Sequence, residues 1–150
     1  MRVESVMTRG VVTVPEHVSA EDAHAMMLER RIHHLVVLDR LRRVVGLVSD
    51  RDLGGRNGFR LRDGHAVTEF MTREVASART EDTVRSVANK LRGRAIGCLP
   101  VFDGAQLVGI VTVTDLLDMI GRGMTREAPR SDRGRVNEPR KRNPRPARRA

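Results

Sequence analysis

Aromatic residues are almost missing from this 150-residue chain, which has three Phe, no Trp and no Tyr. Binders of single-stranded nucleic acid stack bases on aromatic platforms, and that mode has little to build on here. Cys98 is the only cysteine, which excludes an intramolecular disulfide framework and a cysteine-based zinc site. Lysine is scarce as well: only Lys90 and Lys141 among 28 basic residues, a skew that reads first as genomic base composition. No apolar run approaches the roughly 20 residues of a membrane helix. The opening stretch Met1-Arg2-Val3-Glu4-Ser5-Val6 lacks the apolar centre of a signal peptide. A soluble cytoplasmic protein with no membrane partner is expected.

Charge is present, but unevenly. The chain carries a formal +9. Residues 122–150 hold 11 basic and 3 acidic residues, a net +8, whereas residues 1–121 hold 17 and 16, a net +1. The last stretch also contains four of the six prolines (Pro129, Pro139, Pro144 and Pro146) and almost no large apolar side chain after Met124. Such a segment cannot bury enough surface to offset its ordering entropy, so a disordered Arg/Pro-rich tail is expected over 123–150.

The body repeats itself. Val6-Met7-Thr8-Arg9 returns as Phe70-Met71-Thr72-Arg73, and the same offset of 64 pairs Thr13 with Ser77, Leu35 with Leu99 and Asp39 with Asp103. After one lost residue the offset is 63, pairing Gly46-Leu47-Val48-Ser49 with Gly109-Ile110-Val111-Thr112 and Asp52 with Asp115. Two copies of one unit follow: repeat one over 1–55, a linker over 56–66, and repeat two over 67–122.

Each copy reads as β-α-β-β-α. Short extended pieces are expected at Val12-Thr13-Val14 and Val75-Ala76-Ser77. A helix follows, because Val84, Val87, Ala88 and Leu91 mark one apolar face at 3.6-residue spacing, matched by Ala20, Ala23, His24 and Met27. Two strands turn at Asp39-Arg40-Leu41-Arg42 in copy one and at Asp103-Gly104-Ala105-Gln106 in copy two, where Asp-Gly is a hairpin signal. A last helix is expected from Ser49 and from Thr112, cut short by Gly54-Gly55 in copy one. One unit is too small to bury a core, so the two must pack together as an α/β (α+β) body with approximate two-fold symmetry.

At this point the residues resemble a family. Val-x-x-x-Met-Thr at 3–8, Ile-x-x-Leu-x-Val before an Asp turn, and a closing Gly-x-Val-Ser/Thr-x-x-Asp are similar to the cystathionine β-synthase (CBS) domain, and two in tandem to a CBS pair. The resemblance covers residues 1–121 and leaves the tail out.

Ser49 with Asp52, and Thr112 with Asp115, form the strongest constellation. A Ser or Thr followed three residues later by an acid is also a helix-capping pattern, and the two roles are compatible. A helix start offers free N–H groups to a phosphate, a hydroxyl can donate to it, and an ionised Asp can accept from a ribose diol. Gly46 and Gly109 would leave room for a close approach. In CBS pairs this segment is the ribose-phosphate motif, which the resemblance transfers to Ser49, Asp52, Thr112 and Asp115. It implies further that the base lies against Thr13, Val14, His34 and Leu35 in copy one, and Ser77, Ala78, Cys98 and Leu99 in copy two, mostly through backbone. Arg31, Arg51 and Arg94 lie near the expected phosphate ends, although a solvated arginine is the simpler account of any one of them.

Adjacent His33 and His34 point to opposite sides of a strand and chelate poorly, so no metal is expected. His24 falls on an apolar helix face and reads as a satisfied core or interface histidine; Cys98 reads as a small buried hydrophobe. Met26, Met27 and Met119, with Leu117 and Ile120, suggest an apolar helical surface, the natural place for the homodimer that the resemblance implies. No nucleophile–base pair, metal cluster or P-loop is visible, so no enzyme and no catalytic residue are expected. The expectation is a stand-alone regulatory module. Its ligand is an adenosine-containing nucleotide of the AMP, ADP, ATP or S-adenosylmethionine type, acting as regulator rather than cofactor, and it modulates an unknown partner protein. The alternative is a nucleic-acid-associated protein, binding phosphates without sequence preference through its basic tail.

Overall fold

The computed structural model describes residues 1–123; the expected disordered tail lies outside the described residues apart from Gly123. Two three-stranded sheets form, one from each repeat. In the first, β1 (Thr13–Pro15) runs parallel to β2 (His34–Leu38), which pairs antiparallel with β3 (Val44–Ser49). In the second, β4 (Ala78–Arg79), β5 (Cys98–Asp103) and β6 (Gln106–Thr112) repeat that order. The pairings Val37 with Gly46 and Val101 with Gly109 occupy matching register positions, so the sequence repeat is also a structural one. The first strand of copy two begins three residues later than the extended piece expected at 75–77: only Ala78 and Arg79 pair with β5.

Local chemistry accounts for the helices. Helix α1 (Ala20–Arg30) starts where the Ser19 hydroxyl accepts from the Asp22 N–H at 3.0 Å, and α3 (Val84–Arg94) starts where Thr83 accepts from Ser86 at 3.1 Å. Ala20, Ala23, His24 and Met27 are buried on α1, as are Val87 and Leu91 on α3, which is the apolar face the spacing demanded. Helix α4 (Val113–Gly121) continues directly from β6. In copy one no comparable helix forms. After Ser49 the chain makes turns, passes Gly54 and Gly55 at φ 81° and 62°, and forms only a 3₁₀ turn at Gly55–Asn57 and the short α2 (Phe59–Arg62). Left-handed φ at two successive residues ends helical propagation.

The ends of the repeats cross over. Val3 and Met7 pack into the core of repeat two with Ala78, Val87, Leu99, Val101 and Val111. Reciprocally, Val67 packs into the core of repeat one, and Phe70 and Met71 pack against it. Thr8 exchanges backbone hydrogen bonds with Ile110, and Thr72 with Leu47. Each repeat therefore completes its core with the leading segment of the other, which makes the pair one folding unit. This crossing also explains Gly46 and Gly109. A Cβ on Gly109 would lie 2.6 Å from the Met7 sulfur, and one on Gly46 would collide with the Met71 sulfur. These glycines make room for a methionine of the other repeat, and the expected close approach of a ligand is corrected accordingly.

One buried arginine joins the linker to repeat one. The Arg62 guanidinium, 3% exposed, donates to the Leu53 and Gly55 carbonyls at 2.9 and 2.6 Å and to Glu21 at 2.9 Å. In the sequence Arg62 is one of many arginines, and nothing marks it.

Candidate functional site

Two clefts open between the repeats. In each, a β-strand delivers a turn whose Ser or Thr and Asp bond reciprocally. The Ser49 N–H donates to Asp52 Oδ2 at 2.8 Å and the Asp52 N–H to Ser49 Oγ at 3.1 Å; Thr112 and Asp115 repeat this at 2.8 and 3.1 Å. The reciprocal bonds therefore occur in both copies, as the cap of α4 in copy two and as a turn with no helix behind it in copy one, and they spend one oxygen of each carboxylate. The remaining oxygens differ. Asp115 Oδ1 accepts from the Thr8 hydroxyl at 3.1 Å, whereas Asp52 Oδ1 has no hydrogen bond among the described residues.

The walls come from opposite repeats. A cleft of about 570 Å³ is lined by Ser49 to Asp52 and Leu47 from repeat one, and by Thr72 and Ala95 to Cys98 from repeat two, with His33 and His34 at its edge. A second, of about 420 Å³, is lined by Thr112 to Asp115 and Ile110 from repeat two, and by Thr8, Gly10 to Val12 and Ile32 to His34 from repeat one. His34 and Gly97 border both clefts, and the His34 ring abuts Gly97, where a Cβ would come within 3.1 Å of its Nε2.

The structure therefore brings Ser49, Asp52, Cys98 and His34 together in the Asp52 cleft, and Thr112, Asp115 and His34 in the Asp115 cleft. It does not bring the others there as side chains. Val14 and Ala78 on the short strands, and Leu35 and Leu99 on the strands that follow the first helices, are buried in the two cores. Thr13 lines a separate cavity with Arg42 and the β5–β6 turn. Ser77 lines a shallow one with Glu74, Lys90 and Arg94, and its carbonyl accepts from the Lys90 ammonium at 2.7 Å. Of the three arginines singled out, Arg51 lines the Asp52 cleft, Arg94 the neighbouring shallow cavity, and Arg31 neither.

Electrostatics follow burial. Burial holds the His34 imidazole below its ordinary pKa, with the neighbouring His33 adding in the same direction and Asp52 opposing. Burial, then the charges of Asp52 and Asp115, push the Cys98 thiol up to about 12. Cys98 is a buried hydrophobe, as its sequence neighbours suggested. His24 is buried too, but it is not satisfied: its Nε2 and Asp50 Oδ1 lie 3.4 Å apart and neither has a hydrogen-bond partner among the described residues. Met27, expected on the surface, is 2% exposed and belongs to the core, while Met26 packs partly against it. Periodicity already puts Met27, and not Met26, on the buried face of α1 with Ala20, Ala23 and His24.

The family profile of the CBS domain matches residues 3–53 and again 67–122. The chain belongs to the CBS domain family, as a tandem pair. It is similar in structure to the CBS domain pair of protein MJ0100 in complex with 5′-methylthioadenosine and S-adenosyl-L-methionine. That likeness has a TM-score of 0.74 at 26% identity and covers 82% of this chain and 98% of the other. A putative acetoin utilization protein from Vibrio cholerae is also similar, with TM-score 0.69 and 29% identity over 83% and 93% of the two chains. Among curated relatives, a homoserine O-acetyltransferase of Methanohalobium evestigatum is 29% identical over 119 residues, 79% of this chain and 24% of that protein. An L-aspartate semialdehyde sulfurtransferase of Methanocaldococcus jannaschii is 27% identical over 120 residues, 79% of this chain and 23% of that protein. The CBS pair thus spans about a quarter of these enzymes. Among the described residues no helix is long and apolar enough to cross a membrane.

Proposed function

We propose that this CBS pair is a non-catalytic regulatory module that binds an adenosine-containing ligand in the clefts between its repeats. The carrying observation is that each cleft presents a carboxylate fixed by a backbone N–H three residues before it, opposite a wall contributed by the other repeat. A ribose diol donates to such an acceptor, and a charge-assisted bond of this kind contributes about 1.5–3 kcal/mol. The complex of the similar MJ0100 pair with two adenosine compounds supports the same ligand class. Because each cleft is built from both repeats, a bound ligand touches both, and regulation follows from its different affinity for two packings. The regulated protein is a cytoplasmic partner. A second copy of the chain covers the apolar side of α4, where Val113, Leu117 and Ile120 are exposed.

Calorimetric titration of the full chain with AMP, ATP, 5′-methylthioadenosine and S-adenosylmethionine tests the reading. At least one should bind, and Asp52→Asn or Asp115→Asn should weaken it about tenfold or more, with melting little changed because Asn keeps the cap acceptor. Failure of all four to bind, or unaltered affinity in both variants, would leave these acids as caps only. A DNA fragment in the same series probes the alternative reading through the tail.

A further inference from the structure

The repeat alignment pairs the two residues between Ser49 and Asp52 with those between Thr112 and Asp115. They are Asp50-Arg51 in one cleft and Val113-Thr114 in the other. No other pair of matched positions in the clefts replaces charge by neutral side chains at two successive residues. The apolar wall of the Asp115 cleft includes Val11, Val12, Ile32 and Ile110, and Asp115 is its only carboxylate among the described residues. Among the described residues no lysine or arginine lines it. The Asp52 cleft is lined by Arg51 as well as Asp52, with Asp50 backed by buried His24. His33 and His34 border both clefts and do not discriminate between them.

Building on the proposed adenosine reading, we infer that the two clefts take different 5′ substituents of the same nucleoside. The Asp115 cleft takes an uncharged adenosine with an apolar 5′ group. The Asp52 cleft takes an adenosine compound whose 5′ group ends in an anionic oxygen pair. Desolvating a phosphate or carboxylate against Val113, Ile110 and Val12, with no lysine or arginine among the described residues to meet it, is costly. An apolar 5′ group gains from that same surface. Arg51 supplies the opposite environment, since a planar guanidinium matches the paired oxygens of phosphate or carboxylate in bidentate fashion. Thr8 adds to the difference by holding Asp115 in place through its hydroxyl, while Asp52 keeps one oxygen free for the ligand.

The test is calorimetry on the full chain with three probes: 5′-methylthioadenosine, AMP for a phosphate and S-adenosylmethionine for a carboxylate. The variants are Arg51→Thr, which installs the residue native to the other repeat at an exposed position, and the double variant Val113→Asp/Thr114→Arg. Arg51→Thr should weaken AMP or S-adenosylmethionine about tenfold or more and leave 5′-methylthioadenosine within twofold; whichever of the two loses affinity identifies the anionic group. The double variant should lose 5′-methylthioadenosine tenfold or more and raise the stoichiometry of the anionic probe from one to two. Melting curves establish that each variant is folded. If Arg51→Thr weakens all three probes alike, or none, the division between the clefts is wrong although the adenosine reading stands. If none of the probes binds the unaltered chain, the adenosine reading falls and the division with it.

Discussion

His24 Nε2 and Asp50 Oδ1 face each other at 3.4 Å, buried, with no hydrogen bond between them and none to any other described residue. The corresponding positions of repeat two are Ala88 and Val113, an apolar pair at the same place in the same unit. The fold therefore does not need the polar pair. Replacing His24→Leu removes a buried nitrogen with no partner and keeps most of the volume. Urea unfolding should report stability unchanged or raised by up to about 1 kcal/mol. A loss beyond about 1 kcal/mol would mean that the imidazole and carboxylate stabilise each other as an ion pair.

The glycines separate into two kinds. Gly109→Ala forces a Cβ against Met7 and should cost about 1–3 kcal/mol by overpacking, with Gly46→Ala behaving alike against Met71. Gly93 lies within α3, and a Cβ there meets nothing within 4 Å. Gly93→Ala should raise stability by about 0.5–1 kcal/mol. Thermal melting of the three variants side by side checks the contrast.

Acid should act through His34. Its folded pKa lies below the ordinary 6.5, so the unfolded chain takes up the proton first. The stability this group contributes is complete above pH 6.5 and is lost as the pH falls through the lower, folded value. Denaturation midpoints measured downward from pH 7.5 should decline, and His34→Asn should make that decline shallower. A parallel decline in both proteins would assign it to other groups.

Alkali should act through Cys98 with the opposite dependence. Its thiol is held up to about 12 from an ordinary 9.0, so the contribution is complete below 9.0 and is lost as the pH climbs toward 12. At pH 8 a disulfide reagent should label the folded chain only at the rate of opening and label it fast in urea, because the thiolate is the nucleophile. Rapid labelling without denaturant would contradict the burial.

Leu117 and Ile120 are 61% and 54% exposed on α4, beside Val113. If a second copy covers this face, Leu117→Glu with Ile120→Glu should halve the mass seen by light scattering at micromolar concentration while melting stays cooperative. An unaltered chain that already scatters as a monomer would remove the basis for the dimer.

Much of this protein is legible in its sequence because the signals are local. The apolar face of α1 over Ala20, Ala23 and Met27 is a matter of 3.6-residue spacing. The Asp103-Gly104 turn needs only the φ of 58° that glycine supplies, and the Ser49–Asp52 and Thr112–Asp115 bonds span three residues. The repeat itself pointed to two similar units that must pack together. Tertiary structure alone decided how. Met7 lies 102 residues from Gly109 and Met71 25 from Gly46, so nothing nearby in the chain announces that each methionine crosses to the other repeat. The same crossing sets the wall of each cleft opposite its carboxylate, and it puts Thr8 on Asp115 across 107 residues. Caps and periodicities depend on the few residues around them, whereas a cleft between repeats depends on which buried surfaces find each other. That choice is made by complementary volume at distant positions, which a linear pattern does not encode.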